Sequence, residues 1–273
     1  MLNVDSVAQA ARNMRIDIIK AISAAGSGHP GGSLSAADVI ATLYFYKMKV
    51  DPKNPQMEDR DRFVLSKGHA APALYAALAE KGFFEREEMY SLRKLGSIFQ
   101  GHPDMKKVPG VEMSTGSLGQ GFSASVGMAL AGKLDHRKSK VYVLLGDGEI
   151  QEGIVWEAAM SAAHYKLDNL VAILDNNGLQ IDGRNDDVMT VEPIYEKFES
   201  FGWDVMQVDG HDIEAIAEAL DQTDEAQERP TIIIAHTVKG KGVSFMEDEA
   251  GWHGKAPNQE ETEKALAELG GER

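Results

Sequence analysis

Two short stretches, each apolar through both faces and each halting at a polar cluster, constrain this chain most. Residues 140–145 (KVYVLL) place apolar side chains at successive positions after Lys140. A strand of that kind must be covered on both sides, which is the setting of a parallel sheet. The run stops at Gly146-Asp147-Gly148. An alanine-rich helix is expected over 154–164, with Trp156 and Met160 on one face. Residues 170–174 (LVAIL) repeat the pattern and stop at Asp175-Asn176-Asn177-Gly178. Further strands are expected around 203–208 and 231–236, bracketing a helix near 213–220. This alternation calls for right-handed crossovers, so the expected fold class is α/β, a doubly wound, mostly parallel sheet flanked by helices. Ligands of such sheets bind beyond the carboxyl ends of the strands, where both polar clusters lie.

The amino-terminal part suits the same architecture. Helices are expected over 3–24, 36–46 and 70–81, with a strand at 62–66 and a polar, proline-bearing surface loop before it. Neither an internal repeat nor a low-complexity linker interrupts the chain, so 1–273 reads as a single domain. The first residues have the charge pattern of an amphipathic helix, not of a signal peptide. No apolar run approaches the ~20 residues that cross a bilayer, and a cytoplasmic protein without membrane contact is expected. The absence of cysteine removes disulfides, thiolate metal sites and cysteine nucleophiles. A net charge of −15 argues against nucleic acid as a partner. It leaves a phosphorylated ligand open, because local backbone amides and a metal override the global field.

The strand-end clusters carry the chemistry. Glycines around Asp147 allow a sharp turn and leave the carboxylate facing the crevice, where a hard cation such as Mg²⁺ accepts its oxygen. Taken alone, the tripeptide is most often a plain turn. Paired with Asn176-Asn177 at the neighbouring strand end, it suits a metal bridged to a diphosphate. Three further glycine-rich loops add to this: residues 26–32 (GSGHPGG), 66–70 (SKGHA) and 116–121 (GSLGQG). The last runs into a small-residue helix, whose amino end suits an anion. His29, His69 and His102 each lie beside Gly or Pro, where no helix or strand face explains them, and histidine exchanges protons near neutrality. The bland reading, surface or satisfied core, goes to His136, His164, His211 and His236; Trp156 and Trp252 are read as packing residues.

In order, SGHPGGSLS, LSKGHA, GHP, STGSLGQG, GDGEIQEGIVWEA, LDNNGLQIDG and WHGKAPN resemble the motifs of the amino-terminal part of transketolase, from about residue 21 to residue 258. The resemblance implies a domain that binds thiamine diphosphate and Mg²⁺. It implies that Asp147 and Asn177 bind the metal through side-chain oxygens and Leu179 through its carbonyl. Gly148, Asn177 and the Gly116-Ser117-Leu118 loop would lie against the cofactor, with His69 and His253 near its diphosphate or reacting centre. His29, His102 and His253 would face the sugar and shuttle protons, and Glu152 would sit at a subunit contact linking two active sites.

Transketolases carry a pyrimidine-binding domain and a third domain beyond this one. By resemblance, the glutamate that activates the cofactor and most of the basic residues for the substrate phosphate belong to those domains. A split enzyme is therefore expected, with a second subunit bearing the pyrimidine-binding domain and two copies of each chain in the assembly. Its substrates would be sugar phosphates, passing a two-carbon ketol unit from ketose to aldose. Before the partner arrives, the cleft would be open and apolar on one side. One alternative is a split thiamine diphosphate enzyme for another sugar or a 2-oxo acid. Another is a non-catalytic subunit with a cofactor-binding or regulatory role. The third is an α/β protein holding some other phosphate ligand with Mg²⁺.

Overall fold

The computed structural model describes residues 2–271, so the expected domain limits at 1 and 273 lie outside the described residues. Its strands in chain order are β1 (Arg62–Leu65), β2 (Val141–Gly146), β3 (Leu170–Asn176), β4 (Leu179–Gln180), β5 (Gly183–Arg184), β6 (Asp204–Asp209) and β7 (Thr231–His236). Five of them form one parallel sheet in the order β1-β2-β3-β7-β6. The remaining two, β4 and β5, make a small antiparallel hairpin directly after β3. The fold is the doubly wound α/β arrangement expected from the sequence.

Why the central strands are apolar throughout is now visible. Tyr142 and Leu144 of β2, with Val171 and Ile173 of β3, join the core on one face of the sheet. Val143 and Leu145, with Ala172 and Leu174, join the core on the other. Successive side chains of a strand point to opposite faces, so a strand covered twice needs apolar residues at every position. Helices Val4–Ala25, Ala37–Thr42, Ala71–Lys81 and Ile213–Gln222 supply side chains to the first core. Helices Gln120–Leu134, Gly153–His164 and Ile194–Ser200 supply the second, closed by Trp203, whose indole N–H donates to Ala159 O at 2.9 Å. No helix among the described residues is long and apolar enough to cross a membrane.

The helix expected over 36–46 begins earlier and ends differently. The chain turns helical at Pro30, runs to Ser35, resumes at Ala37–Thr42 and closes in a π-type turn, Leu43–Lys47. Glycine is a poor helix former, so Gly31 and Gly32 read as a turn. Tertiary packing overrides that: a Cβ on Gly31 would stand 3.0 Å from both the Lys239 side chain and Trp252 O. The glycine is there to let Lys239 pass. The hairpin after β3 and the helix Ile194–Ser200 had no distinct periodicity to announce them. An acidic helix, Gln259–Glu268, follows towards the carboxy end and starts with a capping box between Asn258 and Glu261.

Candidate active site

The loops that follow β1, β2, β3 and β7 leave one edge of the sheet together, bringing Lys67, Asp147, Asn177 and Lys239 into one region. Two buried carboxylates, neither picked out from the sequence, lash these loops. Asp175 takes a very short ion pair from the Lys67 ammonium, and accepts from the hydroxyls of Ser35 (2.6 Å) and Thr237. Burial pushes its carboxyl up, but Lys67 and the two hydroxyls outweigh this and hold it below the usual carboxylate range. Lys67 also donates to Gly32 O at 2.8 Å, fastening the His29 loop. Glu149 works on the other side. It accepts from the Ser66 hydroxyl and from the backbone N–H groups of Gly119 (2.8 Å) and Gly146 (3.0 Å), while burial raises its carboxyl.

Asp147 lies within this frame, 2% exposed. One carboxylate oxygen accepts from Gly148 N at 2.7 Å and the other from Gly178 N at 2.5 Å. Burial, then the nearby charge of Asp175, push its pKa up to about 6 against these donors. Asn177 Oδ1 accepts from Leu179 N at 3.1 Å, and Leu179 O accepts from the Lys239 ammonium at 3.0 Å. Lys239 is itself 2% exposed, and burial followed by the Lys67 charge lowers its pKa to about 8. A buried anion and a buried cation thus flank one loop without touching each other. A ligand that brings a cation to Asp147 and an anion to Lys239 relieves both. Among the described residues, no three His, Asp or Glu side chains converge as a ready metal group. The oxygens available are one carboxylate with amide and carbonyl oxygens, a set suited to a hard cation.

Above that loop stand three histidines. The rings of His29, His69 and His253 lie 5.3, 5.4 and 5.1 Å apart, each beside the other two. Lys239 donates to His253 Nδ1 at 3.0 Å, so the imidazole proton is on Nε2, free to donate. Arg93 approaches His29 Nδ1 at 3.5 Å and orients that ring in the same sense. Burial first, then neighbouring cations, lower His29 to about 4 and His253 to about 3; His69 is lowered well below its ordinary value. His102 is also lowered, by burial and then Arg93, although its side chain is more exposed. At neutral pH all four are uncharged, and His29 and His253 present their Nε2 to the space between the rings. His102 crosses Gly116, whose φ is +150° and where a Cβ would stand 2.9 Å from the ring. Only glycine allows that approach.

The structure therefore gathers Asp147, Gly148, Asn177 and Leu179 on one side and His29, His69 and His253 on the other, with Lys239 between. His102 and Gly116 form an adjoining wall; Leu118 is half-buried and Ser117 exposed in the same loop. Glu152 shares none of these contacts and stands exposed beside Gly119. His211 is a satisfied histidine: Nδ1 pairs with Asp38 at 2.7 Å and Nε2 accepts from Val238 N at 2.8 Å, pinning the loop that carries Lys239. Sequence reasoning missed Lys67, Asp175, Glu149, Lys239, Arg93 and Asn185. Lys67, Glu149 and Asp175 lie inside the motifs named above, and a charged residue at or just past an apolar strand end is the signal available.

The family model described as transketolase, thiamine diphosphate binding domain, matches residues 5–273. The 6-deoxy-6-sulfo-D-fructose transketolase subunit of Clostridium sp. (strain MSTE9) is 49% identical over 244 residues, 89% of each chain. One of the subunits of the apulose-4-phosphate transketolase of Phocaeicola vulgatus is 45% identical over 268 residues, 98% of this chain and 95% of that one. The crystal structure of transketolase from Campylobacter jejuni superposes with a TM-score of 0.93 at 35% identity. That alignment covers 99% of this chain and 44% of the solved one, so this chain spans less than half of that protein.

Proposed function

The chain belongs to the transketolase family through its thiamine diphosphate-binding domain, and we propose that it is one subunit of a two-subunit sugar transketolase. In this reading residues 1–273 make one domain for the cofactor diphosphate and Mg²⁺, and the reaction moves a two-carbon ketol unit from a ketose phosphate to an aldose phosphate. The observation that supports it best is the buried, unmatched pair of Asp147 and Lys239 beneath three neutral histidines.

These residues fit the cofactor. Asp147 and Asn177 hold Mg²⁺ through side-chain oxygens and Leu179 through its carbonyl. Gly148, Asn177, the Gly116-Ser117-Leu118 loop, His69 and His253 lie against thiamine diphosphate, and Lys239 faces its anionic end. When bound, thiamine diphosphate supplies the nucleophilic carbon that takes up the ketol unit. This chain's own part is to bind, to orient and to move protons. His29, His102 and His253 hydrogen-bond the sugar's hydroxyls and move protons at its carbonyl; His29 and His253, their Nδ1 atoms held by Arg93 and Lys239, do so through Nε2. His29→Ala is expected to leave cofactor affinity unchanged and to lower kcat by ~100-fold, the low end for loss of a positioned acid–base group. Release of the cofactor by that variant, in equilibrium dialysis, would remove His29 from the substrate side.

A second polypeptide carrying the pyrimidine-binding domain completes the site, in a cytoplasmic assembly of two copies of each chain with Glu152 at the contact between them. Ile181 (69% exposed) and Met189 (62% exposed) follow the metal loop and present apolar surface for that partner to cover. The named relatives favour a second reading at the level of substrate: another sugar, phosphorylated or sulfonated, in place of the usual ketose phosphate. Ketol transfer from xylulose 5-phosphate and from 6-deoxy-6-sulfo-D-fructose, measured on the chain alone and on the co-expressed pair, tests both. Transfer by the pair only, at least ~100-fold above the single chain, is expected from loss of the group that activates the cofactor. Full turnover by the chain alone would overturn the two-subunit reading, and silence of the pair with every sugar would leave a regulatory role.

A further inference from the structure

Asn185 is 4% exposed and opens the short helix Asn185–Val188 after the β4–β5 hairpin. Its backbone N–H donates to Gly178 O at 2.9 Å, so the residue is tied to the loop that follows β3. Its side-chain oxygen accepts from Gln180 Nε2 at 3.0 Å. Its side-chain nitrogen, Nδ2, is buried and has no hydrogen-bond partner. A buried amide donor left unpaired costs roughly 1–3 kcal/mol, so such a group calls for an explanation. Its surroundings provide one. A Cβ on Gly148 would stand 3.9 Å from Asn185 Oδ1, which places this amide against the turn that carries Asp147. The Asp147 carboxylate already accepts from Gly148 N and Gly178 N, and an ionised carboxylate has acceptor sites to spare for a third donor and a metal.

We propose that Asn185 is a positioning residue for the metal: its Nδ2 donates to the Asp147 carboxylate and holds it in the orientation that takes Mg²⁺. The proposal rests on the metal assignment made above. Gln180 sets the amide's sense, because its N–H group claims the oxygen and leaves the nitrogen as the donor still to be used. Neither residue touches substrate in this scheme. Asn185 acts on the ligand, as outer-shell partners of metal sites do, and their loss commonly costs about 10–100-fold in metal affinity.

The test uses the full chain with saturating thiamine diphosphate and Mn²⁺ as the probe, its free fraction read by electron paramagnetic resonance. Asn185→Leu keeps the bulk and removes the donor, and is expected to weaken Mn²⁺ binding by at least ~10-fold. Gln180→Met frees the amide's oxygen while keeping Nδ2, and is expected to lose clearly less Mn²⁺ affinity than Asn185→Leu, because the amide can still turn its nitrogen to the carboxylate. Equal losses in both variants, or a lower melting temperature of metal-free Asn185→Leu that accounts for its weaker binding, would make the pair scaffolding and overturn the proposal. Unchanged Mn²⁺ affinity in Asn185→Leu would overturn it too. Asp147→Asn is the reference: if it binds Mn²⁺ like the parent, the metal assignment itself fails, and this inference with it.

Discussion

Replacing Asp147 with alanine is expected to abolish Mg²⁺-dependent retention of thiamine diphosphate, a loss of at least ~100-fold in cofactor affinity when the proposed metal site loses its carboxylate. The effect on the folded chain itself should be small, because two opposing contributions meet there. In the metal-free state burial and Asp175 raise Asp147 to about 6 from an ordinary 3.8. At neutral pH its ionisation therefore costs on the order of 3 kcal/mol. A carboxyl raised on folding destabilises above its folded pKa, and that cost disappears as pH falls toward the unfolded value. Metal-free Asp147→Ala is relieved of this cost but leaves Gly148 N and Gly178 N without their acceptor, so its melting temperature should stay close to the parent's at neutral pH. Cofactor retention by the parent should weaken as pH drops through about 6, where protons compete with the metal. Gel filtration with and without Mg²⁺, followed by cofactor fluorescence after oxidation, measures retention directly. A variant that keeps the cofactor in a Mg²⁺-dependent way would show that another group is the anionic ligand.

Lys67→Met should be the most destabilising single change in the frame. Asp175 is fully buried and its charge is neutralised by the Lys67 ammonium. Two hydroxyls remain on it after the substitution, but no cation in contact. Breaking one side of a buried ion pair costs about 3–5 kcal/mol, since the surviving charge has neither water nor partner. For a chain of this size that is roughly 10 °C in melting temperature. The loss should be conditional. In Lys67→Met combined with Asp175→Leu the uncompensated charge is gone, and much of the stability should return. A single variant that melts with the parent would show that the pair does not hold the loops. A double variant no better than the single would place the loss in the Gly32 contact instead.

Legibility in the sequence depended on whether a signal was local. Strand periodicity is local, so the parallel sheet could be foreseen, along with the strand ends at Gly146-Asp147 and Asn176-Asn177. So could the loop histidines His29, His69 and His102, because no helix or strand face accounts for a histidine beside Gly or Pro. The helical turn at Pro30 escaped. Glycine argues against a helix unless something needs the space, and the residue that needs it, Lys239, lies near the other end of the chain.

By itself the sequence determined the α/β order of elements, the family and the polar residues at two strand ends, all of which are written in neighbouring residues. Only the tertiary structure decided that Asp175 and Lys67, 108 positions apart, are one ion pair, and that Glu149 draws three loops together. It also decided that Lys239 stands buried between Leu179 and His253, and that the buried Asn185 amide lies against the turn that carries Asp147. The reason is physical. A charged or amide side chain looks the same in sequence whether water or protein surrounds it, and only burial makes its partner, or the lack of one, matter.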